Sequence, residues 1–288
     1  MSKPTHLEPS ELGTKEYWDN LYTTELTNHA HDPSDTGTVW FDDSDAEAKI
    51  IAFLSTPPIT AYLDNSHPPE RTTTAFLDLG TGNGSLLFRL RDAGWAGRML
   101  GVDYSEASVA FAKRLASARI SDPGAAGSGE KERAVEFRTH DVLTTPPSAL
   151  LTGEQKQGWD VVLDKGTFDA ISLSAETDAR GRRVGEGYRG RVLPLVRGGG
   201  LFVVTSCNWT EEELRGWFEG GGGGNDGDGD GGENGEEGDG DGGENGDGGW
   251  TFKQIGRVEY RTFSFGGVKG QTISTLCFQK IKAGSVGS

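Results

Sequence analysis

Three aspartates, Asp78, Asp103 and Asp141, stand at the ends of three successive β-prone runs, and the first is followed at once by Gly80-x-Gly82-x-Gly84. Alternating glycines let a ligand approach backbone, and a helix that begins at Ser85 turns its N–H groups toward that ligand. The chemistry this supports is nucleotide or nucleoside binding. A pyrophosphate brought to the turn meets like charge at Asp78, whereas a cationic ligand is favoured there. Asp103, about 20 residues past the turn, is placed to accept both hydroxyls of a ribose. Asp141 stands where a side chain can accept from an adenine amino group, with Val142 packing on the ring. Each of these aspartates taken singly also reads as a solvated residue capping a turn.

The elements that would carry these residues alternate. A strand over Ala75–Leu79 leads to a helix over Ser85–Ala93, and a strand over Arg98–Asp103 leads to a helix over Ser105–Ala118 with Ser105 as its cap. Strands over Val135–His140 and Trp159–Asp164 follow, then the Gly166–Leu173 segment, a helix around Tyr188–Val196 that ends at Gly198-Gly-Gly200, and an apolar strand over Leu201–Thr205. This order predicts an α/β fold with a doubly wound, mostly parallel sheet and helices on both faces. Thr210–Phe218 reads as a capped helix with glutamates in its first turn. The β-rich runs Thr251–Phe263 and Thr272–Lys280 read as a closing pair, at least one strand antiparallel.

Ahead of the sheet, Leu12–Leu26 places Tyr17, Leu21, Tyr22 and Leu26 near helical spacing with Thr14 as N-cap, and Asp45–Leu54 reads as a second helix stopped by Pro57-Pro58. His29 and His31 are expected in a polar loop, and with no third ligand clustered nearby no metal site is expected. Residues 1–58 thus form a helical extension packing on the cofactor site, and 59–219 with 250–282 form one domain. Between them, 220–249 holds ten of the acidic side chains behind the net charge of −16, with no basic one, and reads as a disordered insertion.

Without that tract the chain is only mildly acidic, and no basic balance argues for nucleic acid. No apolar stretch has the length of a membrane span and the first residues lack the core of a secretory signal. Cys207 and Cys277, far apart within apolar runs, fit reduced, buried thiols. A cytoplasmic protein, with the nucleus also open to it, is the expectation.

The glycine spacing is one residue tighter than the G-x-G-x-x-G of dinucleotide-binding dehydrogenases, and together with Asp78 it favours S-adenosylmethionine, which carries a sulfonium and an ammonium and no phosphate. The chain resembles the class I, seven-β-strand S-adenosylmethionine-dependent methyltransferases, and within them the protein-lysine methyltransferases that modify translation elongation factor 1-alpha. The resemblance is carried by Leu12-Gly-Thr-Lys-Glu-Tyr-Trp-Asp19, Val39-Trp-Phe41, Leu77-Asp-Leu-Gly-Thr-Gly-Asn-Gly84, Gly101-Val-Asp-Tyr-Ser105, Leu163-Asp-Lys-Gly-Thr-Phe-Asp-Ala170 and Ser206-Cys-Asn-Trp-Thr210. It implies a Rossmann-like seven-stranded sheet with an antiparallel strand at the C-terminal end, a protein substrate and a monomer. Tyr104 and Trp40, both in matching stretches, join the cofactor set.

Methyl transfer to lysine needs a neutral amine, and presenting one at pH 7 costs on the order of 4–5 kcal/mol for a side chain of pKa about 10.4. Asp164, at the fourth strand's end, is expected to orient the lysine with Asn208, while Phe168, Trp209 and Trp40 form apolar walls. The Asn/Asp-Pro-Pro-aromatic run of adenine and glutamine methyltransferases is replaced here by Asp164-Lys-Gly-Thr167. Methylation of another protein or a small molecule, and a non-catalytic cofactor-binding module, stay open as alternatives.

Overall fold

The computed structural model describes residues 5–55, 69–121, 134–219, 249–265 and 268–283. Pro57, Pro58 and nearly all of the acidic tract lie outside them. Seven strands form one sheet: β1 (Phe76–Leu79), β2 (Met99–Asp103), β3 (Glu136–Thr139), β4 (Trp159–Lys165), β5 (Val196–Ser206), β6 (Trp250–Val258) and β9 (Ser274–Lys282). Their order is β3-β2-β1-β4-β5-β9-β6, with the first five parallel and β9 antiparallel to both of its neighbours. β7 (Thr262–Phe265) and β8 (Val268–Gln271) pair as a separate hairpin, so the expected run Thr251–Phe263 is divided between two sheets.

Strand parity sorts the core. Phe76, Val161, Leu163, Leu201 and Val203 point to the face packed by α1 (Lys15–His31), α2 (Ala46–Ser55), α3 (Ser85–Asp92) and α4 (Glu106–Ser121). Leu77, Leu79, Val162, Phe202 and Val204 point to the other face, with α5 (Thr167–Ser172), α6 (Tyr188–Val192) and α7 (Glu211–Phe218). Successive side chains of a strand alternate, so two nearly continuous apolar runs feed two cores. Tyr22, Ile50 and Leu54 of the N-terminal helices belong to the first core, which ties the extension to the sheet.

Local signals fix the helix starts. Thr14 caps α1 by accepting from the Tyr17 N–H at 3.3 Å, and Thr210 with Glu213 forms a reciprocal capping box on α7. α1 runs further than the sequence pattern indicated, so His29 and His31 lie in its last turn rather than in a loop; they donate to the carbonyls of Asp35 and Thr27. The helix expected over Tyr188–Val196 stops at Val192, a short 3-10 turn follows, and β5 begins at Val196, taking Gly198–Gly200 into the strand. The reason is close packing: a Cβ at Gly198 would stand 2.6 Å from the Trp250 ring, and one at Gly200 3.0 Å from β4 carbonyls. Among the described residues no helix is long and apolar enough to cross a membrane.

Candidate active site

The order of strands reverses between β1 and β4, where open parallel sheets leave a crevice beyond their carboxyl ends. A cleft of about 850 Å³ lies here, bounded by the strand ends, α5, the 174–191 segment and the N-terminal extension. Leu12, Lys15, Trp18, Tyr22, Trp40 and Phe41 supply the extension's share of its wall.

Gly80, Gly82 and Gly84 all take positive φ, between 58° and 80°. The turn is crowded as well: a Cβ on Gly80 would stand 2.1 Å from Thr167 Oγ1, and one on Gly82 2.4 Å from the Tyr22 hydroxyl. Gly80 lines the cleft, while Gly82 and Gly84 stand behind it. Asn83 ties the turn to the extension by donating to the carbonyls of Thr36 and Thr38 at 2.9 and 3.3 Å. Glu25 of α1 holds the same segment by accepting from the Thr38 N–H and hydroxyl.

Asp103, Tyr104, Asp141 and Val142 line the cleft beside Gly80. Asp103 accepts the Gly82 N–H at 3.1 Å and the Ser105 N–H at 2.9 Å, and burial pushes its carboxyl above the usual range. Asp141 is fixed by the Leu143 N–H and the Thr144 hydroxyl. Burial and the neighbouring acids Asp103, Asp19, Asp141 and Glu176 push the Tyr104 phenol up. Trp40 lines the opposite wall against Trp18, and its indole N–H is buried with no partner among the described residues.

Asp78 is buried beneath the turn rather than on the cleft surface, where it accepts the Thr81 hydroxyl at 2.7 Å. Burial pushes its carboxyl up to about 7, with Thr81 and then Lys165 pulling the other way. Asp164 is also inside: parity turns it to the α5–α6 face, where it accepts from the Thr167 and Phe168 N–H groups and from the Tyr188 hydroxyl at 2.7 Å. It is 1% exposed, does not line the cleft, and is likewise pushed up to about 7 by burial. Phe168, on the inner side of α5, and Trp209 are buried in the core: Phe168 stacks on Tyr188 and Trp209, and Trp217 meets both edge-on. Asn208 does line the cleft, in a turn held by its own and the Trp209 N–H donating to Ser206 Oγ. Cys207 beside it is exposed rather than buried, and its thiol is pushed up to about 12 by burial of its sulfur environment and by Asp169; Cys277 is buried.

Three cleft carboxylates had no role assigned from the sequence: Glu176 and Asp178, beyond α5, and Asp169, the third residue of α5. The only signal for Asp169 is its phase, one helical turn past the end of β4 and facing the end of β5.

The donor set at the glycine turn disfavours phosphate. The Ser85 N–H, first of α3, is taken by Asn83 Oδ1 at 3.1 Å, and the Ser85 hydroxyl by Glu47. Both lysines on the wall are occupied, Lys15 with Asp19 at 2.6 Å and Lys165 with the Trp40 carbonyl at 3.2 Å and Glu47 at 3.5 Å. An acid-lined, partly aromatic crevice of this size suits a cationic nucleoside. Among the described residues no cluster of three His, Cys, Asp or Glu could hold a metal ion.

A family model described as "Methyltransferase domain" matches residues 70–221. Protein-lysine N-methyltransferase EFM4 of Saccharomyces cerevisiae is 35% identical over 97% of this chain and 99% of its own length. Protein-lysine N-methyltransferase efm4 of Schizosaccharomyces pombe is 39% identical over 72% of this chain and 80% of its own. EEF1A lysine methyltransferase 2 of Homo sapiens is 29% identical over 95% of this chain and 88% of its own.

Proposed function

As a member of the methyltransferase domain family, matched over nearly its whole length by protein-lysine N-methyltransferases, the chain is an enzyme of that kind, and we propose that it methylates a lysine of elongation factor 1-alpha with S-adenosylmethionine as donor. The observation that carries the donor is the crevice at the β1/β4 switch point, where Asp103 and the Gly80 turn share a wall whose lysines are already paired. The likeness over 95% of this chain to the human EEF1A lysine methyltransferase 2 supports the acceptor.

In this reading Gly80, Gly82 and Gly84 bring backbone to the methionine end of the donor, with Asp78 beneath them supplying negative potential. Asp103 and Tyr104 take the ribose, Asp141 and Val142 the adenine, and Trp40 covers the site from the extension. When bound, S-adenosylmethionine supplies an electrophilic methyl carbon on a sulfonium, so the protein needs to position and deprotonate the amine rather than activate it with a metal. Asp164 acts through α5, whose first N–H groups it holds. Asn208 faces the incoming lysine, with Phe168 and Trp209 backing the wall.

The test is transfer from labelled S-adenosylmethionine in a cell extract lacking this activity, followed by mass mapping. Label on a lysine of elongation factor 1-alpha is expected. Label on another protein changes the acceptor and leaves the chemistry, and donor binding without any label leaves a cofactor-binding module.

A further inference from the structure

Five carboxylates line the cleft among the described residues: Asp103, Asp141, Asp169, Glu176 and Asp178. Asp103 ends β2, and Asp141 lies two residues past the end of β3. Asp178 is taken by the Arg182 guanidinium at 2.7 and 2.9 Å and by the N–H groups of Arg180 and Arg182, and Glu176 is exposed on the rim. Asp169 differs from all four. It is as buried as Asp103, at 6% exposed, but it is the one cleft acid on the β4–β5 side, beside Asn208 and away from the acids that follow β2 and β3. The Ser206 hydroxyl donates to Oδ1 and the Cys207 N–H to Oδ2 at 2.8 Å, so the turn after β5 fixes the carboxylate at the cleft wall. Asn208 is adjacent, with the Cys207 thiol donating toward its Oδ1 at 3.7 Å.

We propose that Asp169 is the catalytic residue that receives the target lysine, holding its ammonium on the cleft wall with Asn208 alongside and taking the Nζ proton. The inference rests on the lysine-methyltransferase reading above. In the step the Nζ–H bond breaks, its electron pair stays on nitrogen, and the proton bonds an Asp169 oxygen before passing to water at the cleft mouth. Asp164, five residues earlier, carries the same charge, but its oxygens are filled by Thr167, Phe168 and Tyr188 and do not reach the cleft. Burial holds the Asp169 carboxyl above the usual range, against the pull of Ser206, Cys207 and Asn208, which brings it nearer to the amine in proton affinity. The titratable groups acting on it are Asp164 from the end of β4 and Cys207 after β5, the latter itself influenced by Asp43 of the extension.

The test uses the full chain with S-adenosylmethionine and elongation factor 1-alpha. In the wild type kcat/KM should be level from about pH 7.5 to 9.5, because a carboxylate with an ammonium has the protonation state of an acid with an amine. Asp169→Asn should lose roughly 100-fold or more at neutral pH and then rise about tenfold per pH unit toward the lysine pKa of about 10.4, since the amine must arrive neutral. Calorimetric affinity for S-adenosylhomocysteine, which needs no turnover, should stay within about threefold of wild type. Ser206→Ala keeps the carboxylate and removes a donor that lowers it, so the acid limb of the profile should move to higher pH; this variant decides the matter if Asp169→Asn does not fold. A flat profile in Asp169→Asn, retention of more than about a third of its rate, or an unmoved acid limb in Ser206→Ala would overturn the proposal. Failure of the underlying reading looks different: the wild-type enzyme itself leaves the elongation factor unlabelled.

Discussion

On the β1–β2–β3 side of the switch point, carboxylates at the strand ends stand against the glycine turn and, in Asp103 and Asp141, open onto the cleft; on the β4–β5 side the strand-end carboxylate Asp164 is sealed inside, and the acid on the cleft wall comes instead from the helix that follows. What separates the sides is the connection after each strand. Gly80–Gly84 makes a five-residue turn with positive φ at alternate positions before α3 begins, which leaves room at the surface. Only Gly166 separates β4 from α5, so the last carboxylate of β4 is already beneath the helix and becomes its cap. After β4 the one-residue connection makes the strand-end acid a helix anchor, and the surface role passes one helical turn onward to Asp169; Asp78, beneath the longer glycine turn, is buried as well, so on that side the cleft acids are Asp103 and Asp141.

The largest effect that could break this contrast is on stability. Asp164→Asn replaces an acceptor surrounded by two N–H groups and a phenol with a group that accepts at one end only, leaving at least one buried donor unsatisfied. A loss of about 2–4 kcal/mol is expected in denaturant unfolding. The pH dependence gives a second reading. Because folding raises the Asp164 pKa from 3.8 to about 7, its contribution is fully present below about pH 4 and is lost as pH rises through about 7. Asp78 follows the same sign. Melting temperatures across this window should fall less steeply with rising pH in Asp164→Asn than in the wild type. Equal slopes would mean Asp164 is not sealed, and the two sides would then be alike.

The glycine side is probed by Gly82→Ala. The new Cβ meets the Tyr22 hydroxyl at 2.4 Å and is carried on a residue with φ of 58°, so about 1–3 kcal/mol of strain is expected between the turn and α1. Affinity for S-adenosylhomocysteine should fall about tenfold in calorimetry. The double change Gly82→Ala with Tyr22→Phe removes the clashing oxygen and leaves the ring at an ordinary 3.4 Å, so part of the affinity should return. No recovery would place the cost in the turn alone and detach the extension from the site.

The same contrast explains what could be read from sequence. That Gly80, Asp103, Asp141 and Val142 stand on the cleft was legible because turn residues and strand ends report position directly, without knowledge of which helix packs above them, and Tyr104 entered through the family resemblance. Seven strands and the antiparallel C-terminal strand followed from alternation and from the resemblance to a known family. Asp164, Phe168 and Trp209 share one difficulty: their place depends on strand parity and on the phase of a six-residue helix, and both are set by tertiary packing. Asp169 was passed over for the same reason. The glycines of β5 look like a helix stop in isolation, and only the Trp250 ring and the β4 backbone make them strand residues.

The smallest expected effect is the sharpest test of the sealed side. Trp209 is buried against Phe168 and Trp217, with ring centroids 6.1 and 5.5 Å away, and its indole N–H donates to Ser172 Oγ at 3.1 Å. Trp209→Phe keeps an aromatic in the stack, removes one hydrogen bond and leaves a small void, so a loss of about 1–2 kcal/mol in stability is expected. Because α5 stands between this ring and the cleft, kcat/KM on the elongation factor should stay within about threefold of wild type. A tenfold loss in kcat/KM with stability unchanged would mean that the indole reaches the lysine. The wall of the pocket would then run through the core cluster, and Asp164, packed against the same Phe168, would regain its claim to the amine over Asp169.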